Sequence, residues 1–243
     1  MAGYIIYEGP SLYDNAPIVV IATTNTSNRK TGGMVQTWII RQDVAPNYAS
    51  RVGLDSSVCG NCVHKGQANP DKESGVADKR SCYVLLQQAP LAVFKAYKRG
   101  RYKHASPADI GKGQKVRVGS YGDGACVPQY IWDSLLSESL SYTAYTHAES
   151  NPMPSVYMTS ADSLLQAKLA WHRGERTFRV VKSVAEIDSS YEVICPASNE
   201  AGNRTTCDKC NLCKGNSIKA KSIAIVDHGP QRKKTAIQTK VGV

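Results

Sequence analysis

The spacing of the cysteines limits what this chain can fold into more than any other feature. Cys195 precedes Cys207-x-x-Cys210-x-x-Cys213 across an eleven-residue gap. Three cysteines at consecutive two-residue gaps wrap the backbone around one bulky object, and the remote fourth completes a thiolate set. That pattern suits a [4Fe–4S] cluster. Zinc more often takes paired ligands from two separated knuckles. An iron–sulfur cluster is therefore expected at Cys195, Cys207, Cys210 and Cys213, with zinc as the other candidate. Four thiolates close the coordination of such a cluster, which favours a structural or electron-transfer role over substrate binding at iron.

An earlier group reads Cys59-Gly-Asn-Cys62-Val-His64, with Cys82 eighteen residues beyond His64. Three cysteines and a histidine make a tetrahedral zinc set. They equally suit a cluster with one histidine ligand. Cys126 stands apart and reads as a small buried thiol.

Metal binding is favoured over disulfides by the two-residue gaps and by the expected compartment. The start, MAGYIIYEGPSLYDN, carries neither a basic nor an apolar signal region, and no apolar run approaches the ~18 residues of a membrane helix. The expectation is a protein of the reducing cytoplasm, where thiols bind metals rather than pair. Hydrophobic residues at 42% and charged residues at 21% place it among globular chains. The net charge of +10 favours anionic partners only slightly.

Residues 1–55 read as an N-terminal β extension, with strands in GYIIYEG, PIVVIATT and MVQTWIIR around the polar turn 25–33. Residues 56–82 read as a polar loop organised by its ligands. From residue 83 strands alternate with helices: YVLLQQ (strand), PLAVFKAYKRGRYK (helix), KVRVGSYGD (strand), VPQYIWDSLLSES (helix). LSYTAYTH and SVYMTSAD (strands), SLLQAKLAWHRG (helix), then RTFRVVKS, YEVICPA and SIAIVDHG (strands) follow. This order predicts an α/β fold over 56–230, a partial or complete parallel βα barrel with metal-organised loops, and a basic flexible tail over 231–243.

Parallel sheets present their working residues at the C-terminal strand ends. The residues that follow the expected strands are Asp123, His147, Ser160 with Asp162, Lys182, Cys195, and Asp227 with His228. Asp123, His147, Lys182 and His228 are the catalytic candidates, with His147 or His228 as base and Asp123 or Asp227 orienting it. Lys95, Lys98, Arg99, Arg101 and Lys103, interleaved with Tyr97 and Tyr102, form a candidate phosphate-binding stretch; a solvated helix end is the plainer reading. There is no Walker loop, no G-x-G-x-x-G, no diagnostic Ser-His-Asp context and no C-x-x-x-C-x-x-C triad.

The segments VCGNCVHK, CYVLLQQAPLAVFKAYKRGRY, SYGDGACVP, YTAYTH and ICPASNEAGNRTTCDKCNLCKG resemble a widespread family of phage-encoded cysteine-rich proteins, over about residues 50–230. The βα order also resembles a degenerate radical-enzyme barrel, without that class's defining triad. The resemblance implies metal at Cys59, Cys62, His64, Cys82 and the four late cysteines, a phage origin and the cytoplasm of an infected host; it implies no reaction. Two functions follow as expectations: a hydrolytic iron–sulfur enzyme of esterase or phosphoesterase type acting on a small molecule, or a nucleic-acid-binding accessory protein with structural metals.

Overall fold

Strand β2 (Pro17–Thr23) is central because its sequence leaves it no solvent face. Ile18 to Ala22 are fully buried, a continuous apolar run of the kind that needs cover on both sides. It pairs antiparallel with β1 (Gly3–Pro10) on one edge and with β3 (Val35–Arg41) on the other. The structure is a computed structural model that describes residues 2–24 and 30–227. The expected turn therefore lies partly, and the basic tail wholly, outside the described residues, as does His228.

From β3 onward the pairing turns parallel. Strand β5 (Lys115–Tyr121) runs beside β3, and β6 (Ser141–Thr143) beside β5. The short β4 (Lys103–His104) joins the far side of β1, giving the order β4-β1-β2-β3-β5-β6. The strands before residue 55 thus belong to the same sheet as β5 and β6. A register shift between Gln36 and Trp38 is held by the Thr37 hydroxyl, which donates to Arg117 O (3.1 Å) and accepts from Gly119 N (2.9 Å). Gly119 sits at φ +67, where a Cβ would lie 2.6 Å from Gly122 O.

The second sheet is wholly parallel. Strands β7 (Tyr145–Thr146), β8 (Met158–Ala161), β9 (Thr177–Val181), β10 (Glu192–Ile194) and β11 (Ser222–Val226) run in the order β10-β11-β9-β8-β7. Only Ala144 separates β6 from β7. Its N–H donates to Cys213 O and its carbonyl accepts from Met158 N, so one stretch of chain passes from sheet to sheet. The fold is mixed α/β with parallel sheet segments, and no closed barrel forms among the described residues.

Helices cover the strand crossovers. In the ligand-bearing region lie α1 (Pro46–Val52) and α2 (Ser56–Cys59), followed by α3 (Ala89–Lys98) and α4 (Pro107–Gly111). Helix α5 (Gln129–Leu136) links β5 to β6 and buries Ile131, Trp132 and Leu135 in the main core. Helix α6 (Leu164–His172) links β8 to β9, and Ser163 caps it by accepting from Gln166 N. Gln166 Oε1 accepts in return from Asp162 N (2.7 Å), which holds Asp162 at the β8 exit. No helix among the described residues is long and apolar enough to cross a membrane.

One sequence expectation fails, and one feature of the topology is new. Residues 83–88 form turns, not a strand, because Cys82 N is tied to His64 O and the chain enters α3 at once, with Pro90 in its first turn. Strand β11 inserts between β9 and β10, so the late cysteines occupy the connection from an edge strand back to an inner one.

On the second sheet, Arg179 of β9 and Glu192 of β10 form a bidentate pair at 2.9 and 2.6 Å, with side chains 4% and 0% exposed. Glu192→Ala should leave the guanidinium buried and unpaired, at a cost of about 3–5 kcal/mol, read as a lower urea midpoint. The double change Arg179→Met with Glu192→Leu should restore most of that loss; equal midpoints for the two variants would contradict this reading.

Candidate functional site

Pleat alternation directs every second residue of the parallel strands to one side. Arg117 of β5, Tyr145 of β7, Phe178 and Val180 of β9, and Ile223 and Ile225 of β11 all line a cavity of about 390 Å³. Beyond the strand ends the wall continues through Asp123, His147, Asp162 and Asp227, and through seven of the eight cysteines. The C-terminal strand ends and both cysteine groups therefore meet at one place. All eight cysteines are free.

The late group is anchored by backbone. Cys195 follows β10 and its N–H donates to Ala224 O (2.7 Å), while Cys207 N donates to Lys30 O (2.8 Å). A single helical turn, α7 (Cys207–Cys210), ends at Asn211 in the left-handed region (φ 57), which turns the chain so that Cys213 enters the cavity wall. Burial pushes the Cys213 thiol up to about 12, a hydrogen bond with Tyr145 works the other way, and Cys195, Cys207 and Cys210 raise it further. Burial likewise raises Cys207, offset by Arg117 and Lys30, and Cys195 and Cys210 add to the rise. The four sulfurs thus lie within each other's electrostatic reach, and as thiolates they would require a cationic centre. A zinc ion 2.3 Å from four sulfurs draws them to about 3.8 Å of one another. No three cysteine sulfurs here lie that close; the sole trio of candidate ligand atoms within 4.8 Å among the described residues contains no cysteine.

In the early group, Cys59 ends α2, and Cys62 N donates to Cys59 O across a turn. The His64 carbonyl accepts from both Ser81 N and Cys82 N, which draws Cys82 beside the pair. Gly66, at φ +84, makes this possible, since a Cβ there would lie 2.4 Å from Asp78 O. Burial pushes the Cys59 thiol well up; Asp55 adds to this, Arg80 opposes it, and Cys82 and Cys62 contribute. Arg80 and Asp55 are buried 3.9 Å apart beneath the thiols. Cys126 is fully buried in the main core and does not line the cavity.

His64 does not point at the thiols as the sequence reading expects. Its Nδ1 pairs with Ser81 Oγ (2.9 Å) and its Nε2 with Asp162 Oδ1 (3.0 Å). His147 Nε2 lies 3.6 Å from the same Asp162 oxygen, and the two rings meet edge-on with centroids 5.8 Å apart. Burial lowers the pKa of His147, but hydrogen bonds with Asp162 and Cys62 outweigh it and raise it to about 10. Burial would raise Asp162, yet His147 and His64 hold it well below the usual carboxylate range.

The other catalytic candidates separate. Asp123 lines the cavity but does not orient the His147 ring: its Oδ2 accepts from His147 N (2.7 Å) and the Thr146 hydroxyl (3.1 Å), and its Oδ1 from Ala125 N. It clamps the β5 exit to β7, and the ring's carboxylate partner is Asp162. Lys182 lies past β9, exposed, and is absent from the cavity wall. Asp162 was legible as a strand-end residue but not as the meeting point of two histidines; Arg80 and Ser81 gave no sequence signal.

The basic stretch lies elsewhere. None of Lys95, Lys98, Arg99, Arg101 and Lys103 lines the cavity, and Lys103 sits on β4, four strands from β5. All five are exposed, but their tyrosines are engaged: Tyr97 donates to Glu8 (2.6 Å) and the Tyr102 ring lies against Gly3.

The chain matches no protein-family profile, no curated protein and no solved structure.

Gly66→Ala should strain the early loop by about 1–3 kcal/mol. The expected outcome is faster proteolysis within residues 56–82 than in wild type. Unchanged proteolysis would show that the turn does not hold the early group together.

Proposed function

We propose that the chain is an iron–sulfur enzyme of hydrolytic type, with a [4Fe–4S] cluster at Cys195, Cys207, Cys210 and Cys213 forming one wall of its reaction pocket. The observation that carries this reading is the convergence of both cysteine groups and the polar strand ends on one cavity. A cavity of about 390 Å³ suits a small-molecule substrate. In this reading the two sheets form a partial βα barrel. Cys195, Cys207, Cys210 and Cys213 would hold the cluster, which would supply a coordinatively closed centre balancing their thiolate charge.

The chain's own residues divide the work. Arg117 and Lys30 line the cavity and favour an anionic substrate, a phosphoester over a neutral ester. Ile223 and Ile225, both buried, give the floor an apolar surface, and Phe178 extends it. His64, His147 and Asp162 form the polar end where bond cleavage takes place, with Asp123 holding the His147 backbone. Cys59, Cys62 and Cys82 form a second thiolate site, for zinc or a further cluster. We read the protein, on its motif resemblance alone, as phage-encoded and working in the host cytoplasm, where free thiols persist.

Protein purified without oxygen should be brown and carry about four irons at the late site. Colourless protein with stoichiometric zinc and no iron, from iron-replete cells, would sink the cluster. Hydrolysis of simple phosphoesters should fall at least tenfold in Arg117→Met; equal rates in wild type and variant would refute the anionic pocket.

The exposed cations of the basic stretch favour a second, separate role in binding nucleic acid. Affinity should then fall with salt at a log–log slope near −0.7 per single-strand phosphate contacted. Changing Lys98, Arg99 and Arg101 to Glu should abolish binding. No binding by wild type at low salt would leave a solvated helix end.

A further inference from the structure

We propose that His64 Nε2, His147 Nε2 and Asp162 Oδ1 are the ligands of a mononuclear divalent metal site beside the early cysteine group, with none of its ligand atoms a sulfur. These three atoms come from three separate elements and lie within 4.8 Å of one another. His64 sits in the one-turn helix Val63–Lys65, His147 follows β7, and Asp162 follows β8. The convergence is therefore built by tertiary structure, not by neighbours in sequence.

The distances fit a shared ion. Metal–nitrogen and metal–oxygen bonds of 2.0–2.2 Å place adjacent ligand atoms about 2.9 Å apart at a right angle and about 3.4 Å apart at the tetrahedral angle. The observed separations from Asp162 Oδ1 are 3.0 Å to His64 and 3.6 Å to His147. A single histidine–carboxylate pair accounts for one of these contacts; two imidazoles converging on one oxygen also match the ligand spacing of a shared ion.

The surroundings orient the ligands as a metal site requires. The Ser81 hydroxyl engages His64 Nδ1 at 2.9 Å, which fixes the ring and leaves Nε2 for the ion. Asp123 secures the His147 backbone, and Gln166 Oε1 accepts from Asp162 N. Ligands are thus held from behind on all three elements.

Two imidazoles and one carboxylate suit a first-row divalent ion such as Fe²⁺, Co²⁺ or Zn²⁺, with the remaining coordination positions open. His64, His147 and Asp162 all line the cavity, so an anionic oxygen of a substrate held there reaches those positions. The site's part in hydrolysis, as a Lewis acid on a phosphoester oxygen, rests on the reading in the preceding subsection. Its ability to bind the ion does not.

The test is equilibrium dialysis of the anaerobically purified protein against Co²⁺, with iron and sulfide measured on the same samples. Wild type should take up one Co²⁺ per chain beyond any held by Asp162→Asn. Asp162→Asn and His147→Gln should each weaken that uptake at least tenfold without changing iron or sulfide content. Ser81→Ala, which removes only the partner of His64 Nδ1, should weaken it about tenfold. Far-UV circular dichroism identical to wild type identifies variants that have kept the fold. No Co²⁺ uptake by wild type, or uptake equal in wild type and in both ligand variants, overturns the site. Protein that lacks iron yet takes up Co²⁺ in an Asp162-dependent way overturns the cluster reading and leaves this site standing.

Discussion

The architecture turns on Ala144. This buried residue lies between β6 and β7; its N–H donates to the Cys213 carbonyl at 3.0 Å and its carbonyl accepts from Met158 N, also at 3.0 Å. One residue thus joins the strand that ends the first sheet, the strand that begins the second, and the loop of the late cysteines. The loop is held by backbone groups, whose hydrogen bonds are obligatory once buried. The late thiols thus owe their placement to these backbone ties together with the left-handed turn at Asn211.

Charge governs what that placement permits. Four late sulfurs and three early ones face one cavity whose floor is apolar. Burial disfavours the thiolate form at Cys59, Cys207 and Cys213, and neighbouring sulfurs disfavour it further. The chain answers with fixed cations: Arg117 and Lys30 act on Cys207, and Arg80, buried with Asp55, acts on Cys59. One or two cations per site offset only part of the charge that three or four thiolates would carry. In the proposed reading a metal centre would balance the remainder at both groups.

What the sequence showed depended on how local each signal was. The strands β1, β2, β3 and β5 and the helices α3, α5 and α6 were legible because apolar periodicity and turn residues act over a few positions. The strand-end rule also placed Asp123, His147, Asp162 and Cys195 on one rim. The order β9-β11-β10 was not legible, since pairing Ile223 with Phe178 is decided by contacts 45 residues apart. YVLLQQ looks like a strand but is held as turns by the tie between Cys82 and His64 O. His64 was misassigned for a related reason: its place two residues after Cys62 says nothing about which way a ring on a one-turn helix points. Asp162, remote in sequence, decides that.

Strand β7 brings the two ends of the site under one control. It is only two residues long, yet Tyr145 on it and His147 just after it project to the same side, about 7 Å apart along the chain. Tyr145 hydrogen-bonds with Cys213 of the late group, and His147 with Cys62 of the early group. Asp123 fixes the register between them by binding both Thr146 and His147 N. A shift of β7 by one residue would exchange its faces and withdraw both side chains from the cavity at once. The separation of the early and late sites is therefore set by strand geometry, and neither can move without moving the histidine that lies between the thiols and Asp162.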